Sequence, residues 1–341
     1  MASSPASEAE TTLAVPTLAD VLDAARRLDG VARRTPLLEA EALGETLGCR
    51  LYVKAEPLQR TGSFKFRGAY NHISRLDKAS LERGVVAYSS GNHAQAVAAA
   101  AKLCGAPAVI VMPKDAPAIK VAGTRRHGAE IVFFDRATEN REAIGGRIAA
   151  ERGMHLVKPY DDRYVIAGQG TIGLEIGGEC RALGFAPDLV IAPVGGGGLI
   201  SGTALGLEAE APGAQIYAAE PFGWNDTALS LAAGERLKAP DPPVNTLCDA
   251  LLAPAPGEIT FAINRRRLSG GLTVSDDDVL RAMAAAFADL KLIIEPGGGA
   301  ALAAVLSRRI DVTGRSVVVV ASGGNVDPEI YALALKRGWR E

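Results

Sequence analysis

Cysteine is scarce in this chain. The four cysteines among 341 residues, Cys49, Cys104, Cys180 and Cys248, are far apart, and no two have CxxC spacing. Neither a zinc cluster nor a disulfide framework is suggested, and the four read as buried small residues of a cytoplasmic protein. An excess of one charge is also missing. Lys and Arg total 37 and Asp and Glu total 39, with no long basic run. The electrostatic footprint of a nucleic-acid binder is therefore absent. No apolar run approaches the ~20 residues that a membrane helix requires. Met1 to Ala14 is small and polar and lacks the basic start and apolar stretch of a signal peptide. Residues 1–16 are expected to form a mobile arm.

What is abundant is apolar surface and glycine. Hydrophobic residues make up 48%, enough to offset the entropy of folding and to exclude a disordered chain. Glycine occurs 38 times, about 11% against an ordinary usage of roughly 7%. The glycines have no period of three, which excludes a collagen-like repeat. They cluster instead, as Gly195 to Gly198, Gly297 to Gly299, and Gly323 with Gly324.

Short β-branched runs alternate with helical patterns along most of the chain. Strands are predicted at Val85 to Tyr88, Ala108 to Met112, Glu130 to Phe134, Asp188 to Ala192, Gln215 to Ala219 and Ser316 to Ala321. Helices are predicted to Lys102, at Ala118 to His127, Asn140 to Arg152, Leu199 to Ala209, Asp276 to Leu290 and Ala300 to Ser307. This order predicts an α/β protein of two parallel-sheet lobes. Val317 to Val320 is a continuous apolar run of the kind a buried parallel strand shows.

The glycine clusters follow predicted strands, and ligands of open α/β sheets sit at the carboxyl ends of strands. Gly195 to Gly198 also precedes a helix, whose positive end favours phosphate. Glycine there lets backbone N–H groups approach an anion. A dinucleotide is one possible ligand. Gly196-x-Gly198-x-x-Ser201 approximates that fingerprint, and Glu220 ends the next strand, although the third glycine is missing. An NAD-dependent oxidoreductase therefore stands as a distant alternative. Gly297 to Gly299 has no assignable ligand and reads as turn and packing. Glycines such as Gly145 and Gly177 read as local chain geometry.

Lys65 lies in a helix-start context between two phenylalanines, in the stretch Ser63-Phe64-Lys65-Phe66-Arg67-Gly68-Ala69. A lysine desolvated by apolar groups becomes a nucleophilic amine, though most lysines are solvated surface residues. Four ordered motifs carry more weight: SFKFRGA, SSGNH at 89 to 93, GGGG at 195 to 198, and SGGN at 322 to 325. Together they resemble the fold-type-II pyridoxal-phosphate enzymes (tryptophan synthase β-like), and within them the threonine/serine dehydratase and serine racemase family. The resemblance runs from about Thr17 to the end.

The resemblance implies a large pyridoxal-phosphate domain (residues 17–83 and 162–341) and a small substrate-loop domain (84–161). It implies that Lys65 holds the cofactor as a Schiff base and that Gly195, Gly196, Gly197 and Gly198 bind its phosphate. Phe64 would pack near the ring, Asn92 would bond its phenolic oxygen, and Ser322 would face its nitrogen. Ser89, Ser90, Gly91 and His93 would receive the substrate, with Ser90 opposite Lys65 across Cα; Ser90 also reads as a turn residue capping the helix at Gly91. Glu220 and Asp226, with the Trp224 carbonyl between them, match a divalent-cation site suited to Mg²⁺ or Ca²⁺. Two solvated carboxylates are the plainer alternative. Arg141 aligns with an arginine that reaches a second substrate carboxylate. Here the plainer reading, a solvated helix arginine beside Arg136 and Arg147, is preferred.

Asp249-Ala250 departs from a frequent Asp-Gly and leaves the substrate range open. The implied activity is β-elimination of L-threonine, L-serine or a β-substituted serine to a 2-oxo acid and ammonia. Serine racemase or 3-hydroxyaspartate dehydratase is the alternative within the same chemistry. A homodimer is implied by the resemblance.

Overall fold

The computed structural model describes residues 13–89, 91–241 and 244–338. Most of the expected N-terminal arm therefore lies outside the described residues, as does Ser90. In chain order the strands are β1 (Leu37–Glu39), β2 (Arg50–Ala55), β3 (Val85–Tyr88), β4 (Ala108–Pro113), β5 (Glu130–Phe134), β6 (His155–Leu156), β7 (Leu189–Pro193), β8 (Gln215–Pro221), β9 (Gly270–Val274) and β10 (Ser316–Ala321). They form a six-stranded sheet in the order β1-β2-β10-β7-β8-β9 and a four-stranded sheet in the order β5-β4-β3-β6. The smaller sheet is wholly parallel and takes its strands from one stretch of chain.

The larger sheet is parallel except at one edge, where β1 runs antiparallel to β2. A parallel return needs a crossover of about a dozen residues or more. The link from Glu39 to Arg50 is shorter and holds only the helix Glu41–Leu47. The central strand β10 is buried on both faces, with Val317 to Val320 each 0% exposed. This is the condition that makes a parallel strand continuously apolar.

Two readings of glycine are corrected. The helix expected from Ala300 starts at Pro296, so Gly297 to Gly299 are helical and follow no strand. Proline suits a first helical position, where its missing N–H costs nothing. A Cβ on Gly298 would run into the Gly323 carbonyl, so this helix lies directly against the loop after β10. Gly177 sits inside the helix Arg163–Ala182 and faces Glu210 of the helix Gly198–Glu210. Where these two helices cross, Gly170, Gly173, Gly202 and Gly206 let backbone meet backbone. Much of the glycine excess is helix packing, not ligand binding.

Helix starts are fixed by local chemistry. Ser275 and Asp278 form a capping box for Asp276–Leu290, satisfying N–H groups that have no partner within the helix. Asn140 accepts from the N–H groups of Glu142 and Ala143 at 2.9 and 3.1 Å, which places Arg141 first in its helix. Asp162 caps Arg163–Ala182 in the same way.

Candidate active site

The loops after β3, β7 and β10 line one pocket. Its wall includes Phe64, Lys65, Ser89, Gly91, Asn92, His93, Arg141, Gly195 to Gly198 and Ser322. Every residue expected to touch cofactor or substrate is thus brought together, apart from Ser90. This corrects the preferred reading of Arg141, which lies in the pocket wall with its guanidinium 5.7 Å from the Tyr88 ring. Its position follows from the Asn140 cap and from the packing of its helix on the small sheet. Neither is visible in a count of neighbouring arginines.

Lys65 is the first residue of the helix Lys65–Ile73. Its amine donates to the Pro159 carbonyl at 2.7 Å and lies 5.1 Å from the Phe64 ring centroid. No carboxylate is paired with it among the described residues, and burial pulls its pKa down to about 8. A substantial neutral fraction near that pH leaves a lone pair for bonding to a carbonyl carbon. His93 is pulled down to about 3 by burial and by the nearby Lys65, and is therefore neutral. Its Nε2 sits 3.1 Å from the Val157 carbonyl, which assigns the proton to that nitrogen.

The glycine cup closes the other side. Gly197 has φ +96 and stands at the N-cap of Gly198–Glu210, a left-handed conformation that disfavours any side chain. A Cβ on Gly196 would run into the Tyr160 ring. No protein acceptor takes the N–H groups of Gly195 to Gly198 among the described residues. Free donors at a helix N-terminus, with no Cβ in the way, fit a phosphate. The cradle and the desolvated amine together fit pyridoxal phosphate.

The dinucleotide alternative fails at Glu220. Its carboxylate is fully buried and accepts from the N–H groups of Thr227 and Ala228 at 2.9 and 2.8 Å, outside the pocket. Lying outside the pocket, it cannot reach the ribose of a nucleotide held by the glycine cup.

Glu220, in β8, and Asp226, first in the helix Asp226–Ala233, form a separate carboxylate pair outside the pocket. Glu220 and Asp226 are both buried, so they are not the solvated carboxylates of the plainer alternative. Neither oxygen of Asp226 has a hydrogen-bond partner among the described residues. Burial and the proximity of Asp226 push Glu220 up to about 8, and burial pushes Asp226 up to about 7.

Sequence reasoning missed several pocket residues. Lys120 is buried, 2.7 Å from Asp249 and 3.4 Å from Glu295. It joins the helix Ala118–Arg126 to the larger sheet's side of the pocket. Glu295 in turn accepts from the Asn92 amide, and the Asn92 carbonyl oxygen accepts from Asn325 at 2.8 Å. Tyr160 lies across the cup. No local pattern marks these residues, because each depends on segments far apart in the chain.

Arg67 was quoted in a motif but given no role. It is buried, with ion pairs to Glu56 at 2.7 Å and Glu175 at 2.5 Å. These hold the first turn of the helix that begins at Lys65. Burial alone would lower the Arg67 pKa, but Glu56 and Glu175 raise it. Breaking one partner of a buried pair costs about 3–5 kcal/mol, because a charge is left uncompensated. Glu56→Ala is expected to lower unfolding stability by about that amount in a urea titration. A loss below ~1 kcal/mol would show that water replaces the carboxylate.

The family model described as "Pyridoxal-phosphate dependent enzyme" matches residues 28–323. The L-threo-3-hydroxyaspartate ammonia-lyase of Saccharomyces cerevisiae is 43% identical over 93% of this chain and 96% of its own. The crystal structure of a threonine deaminase from T.th. superposes with TM-score 0.85 at 43% identity, covering 92% of this chain and 99% of that one. Maize serine racemase gives TM-score 0.86 at 37% identity, covering 94% and 97%. The chain therefore belongs to the fold-type-II family of pyridoxal-phosphate dependent enzymes, with carbon–nitrogen lyases among its near relatives.

Proposed function

We propose that this enzyme eliminates water from a β-hydroxy amino acid with a second carboxylate, 3-hydroxyaspartate; the enamine product becomes an imine, and water hydrolyses it to a 2-oxo acid and ammonia. The observation that carries the choice is the charge inventory of the pocket. Among the described residues three cations line it: Lys65, Lys120 and Arg141. Lys120 is neutralised by Asp249 and Glu295. Lys65 is the working amine. Arg141 has no carboxylate partner among the described residues, so its guanidinium is available for the distal carboxylate of a substrate. Arginine suits this role because its planar fork pairs with a carboxylate through two parallel bonds. The sequence reading placed threonine and serine first. Arg141's position, with a hydroxyaspartate lyase among the relatives, moves the dicarboxylate ahead.

Pyridoxal phosphate, when bound, supplies the electron sink that acidifies the Cα–H bond. The chain's own groups do the rest. The N–H groups of Gly195 to Gly198 would hold the phosphate, Asn92 would bond the phenolic oxygen, and Phe64 would pack by the ring. Ser322, buried at the end of β10, offers a hydroxyl to the ring nitrogen; unlike a carboxylate, it does not favour protonation there. The loop from Ser89 to His93, with Ser90 inside it, receives the α-carboxylate. The Lys65 amine takes the Cα proton. Racemisation would need Ser90 as a second acid–base group, and that residue lies outside the described ones.

In the test, 2-oxo acid release from 3-hydroxyaspartate is compared with release from L-threonine and L-serine. Threonine as the best substrate by kcat/KM would return the reading to its first form.

The same reading divides the chain at residues 84–161 and 17–83 with 162–341, and takes the working form as a homodimer. It also places Mg²⁺ or Ca²⁺ between Glu220, the Trp224 carbonyl and Asp226. The unpartnered oxygens of Asp226 and the hard, all-oxygen donor set fit such an ion. Without a cation, both carboxyls titrate higher when folded than unfolded. Their contribution is then complete below the unfolded range and is lost as pH rises through about 7 to 8. Added Mg²⁺ or Ca²⁺ is expected to raise the melting temperature most above that range. The gain is about 2.7 kcal/mol at a hundredfold excess over Kd, and Asp226→Asn should remove the response. A melting temperature indifferent to both chelator and cation would remove the site.

A further inference from the structure

Residues 155–162 cross from the smaller sheet to the larger as a strap over the helix that carries Lys65. The strap meets the pocket through alternate carbonyls. Val157 accepts from His93 at 3.1 Å and Pro159 accepts from Lys65 at 2.7 Å. Its far end is Asp162, which caps the helix Arg163–Ala182. Lys65 and His72 are seven residues apart on one helix, hence two turns apart on the same face. Lys65 holds the middle of the strap, and His72 holds both of its ends.

The contacts of His72 are specific. Its Nδ1 lies 2.8 Å from Asp162 Oδ1, and its Nε2 lies 2.8 Å from His155 Nε2. A carboxylate only accepts, so His72 Nδ1 carries a proton. With His72 neutral, its Nε2 is the acceptor and His155 Nε2–H donates. With one added proton, His72 Nε2–H donates and His155 accepts through its other tautomer. With both rings charged, two N–H groups face each other and no bond is possible. The contact thus survives zero or one extra proton and fails at two.

We propose that His72, His155 and Asp162 form a proton-counting latch that seats the 155–162 strap and so positions Lys65. His72 and His155 are positioning residues, since they act on the reaction through the Pro159 carbonyl. The titratable groups facing the pair are Asp162, His93 from the helix Asn92–Leu103, and Lys65 from His72's own helix; Tyr164 adds a ring edge at 5.9 Å. Burial and His72 lower the His155 pKa, which keeps the pair short of two protons at neutral pH. Burial would raise the Asp162 pKa, but His72 and two backbone N–H groups bring it down, so the anchor stays charged.

The proposal rests on Lys65 as the working amine, so one arm of its test does not use activity. The chain has four histidines, few enough for the imidazoles of the ¹⁵N-histidine holoenzyme to be followed by NMR between pH 4.5 and 9. Two of them are expected to titrate in coupled steps. His155→Gln keeps a donor and an acceptor toward His72 but cannot be protonated, so the remaining partner should titrate in one step. In the activity arm, His155→Gln should hold kcat/KM within about twofold at pH 8 and move its acid limb at least ~1 pH unit lower. His155→Leu, which leaves His72 Nε2 unpaired, should lower kcat at pH 8 several-fold with KM little changed. Independent single titrations for every histidine that titrates in this range, with no coupled pair, would overturn the latch whatever Lys65 does. Coupled titration with an unmoved acid limb in His155→Gln would overturn its link to Lys65.

Discussion

Lys65→Ala is expected to lower 2-oxo acid release by about 10⁴-fold or more, since general-base removal alone costs 10²–10⁴ and the cofactor tether is lost with it. The visible absorption of the holoenzyme should vanish in the same variant. The structure gives the reason. The Lys65 amine bonds a carbonyl and has no carboxylate among the described residues to hold its proton, and burial brings its pKa to about 8. Its folded pKa lies below the unfolded value, so its charged form is a cost that disappears only as pH rises through and beyond about 8. Lys65→Arg separates charge from nucleophilicity. Guanidinium stays protonated in proteins, so this variant should be as inactive as the alanine variant despite keeping a cation. Activity in Lys65→Arg within tenfold of wild type would show that Lys65 serves only as a charge.

Arg141→Ala gives the second large effect, a selective one. Losing one partner of a desolvated, hydrogen-bonded charge pair costs 2–5 kcal/mol, much of it from the carboxylate left unpaired. For 3-hydroxyaspartate, kcat/KM should fall about 25-fold or more at 1.4 kcal/mol per tenfold. For L-threonine, which has a methyl group in place of the second carboxylate, the change should stay within about threefold. The result is read from both substrates on one preparation. An equal loss on both would assign Arg141 to the fold or to the α-carboxylate and would remove the argument for a dicarboxylate substrate. The Tyr88 ring beneath the guanidinium makes a purely structural role concrete. Cation–π contact is worth about 0.5–2 kcal/mol, and its loss would act on both substrates alike.

The site was legible in unequal parts. Four short motifs named most of the residues that line the pocket, because each motif is local. A strand end, a glycine turn and a helix start lie within a few residues of one another. Gly195 to Gly198 is the clearest case, since β7, the cup and the following helix are contiguous. Arg141 was in the opposite position. Nothing nearby distinguishes it from Arg136 and Arg147, and only the packing of its helix beside Tyr88 puts it in the pocket. Lys120 bridges to Asp249 and Glu295, and His72 meets His155 and Asp162. These contacts join residues about 80 to 175 positions apart in the chain, beyond the reach of periodicity or turn chemistry.

Alternating apolar runs and caps therefore determined many of the elements and the anion cup, because those depend on interactions between neighbours in the chain. The tertiary structure decided which charges remain unspent. Whether a lysine is a nucleophile, a bridge or a solvated surface group depends on whether a carboxylate reaches it. Lys65 has none among the described residues and Lys120 has two. The same holds for glycine. Gly197 serves the cup through its own left-handed backbone, whereas Gly202 and Gly206 serve a helix crossing that exists only once two distant helices are packed.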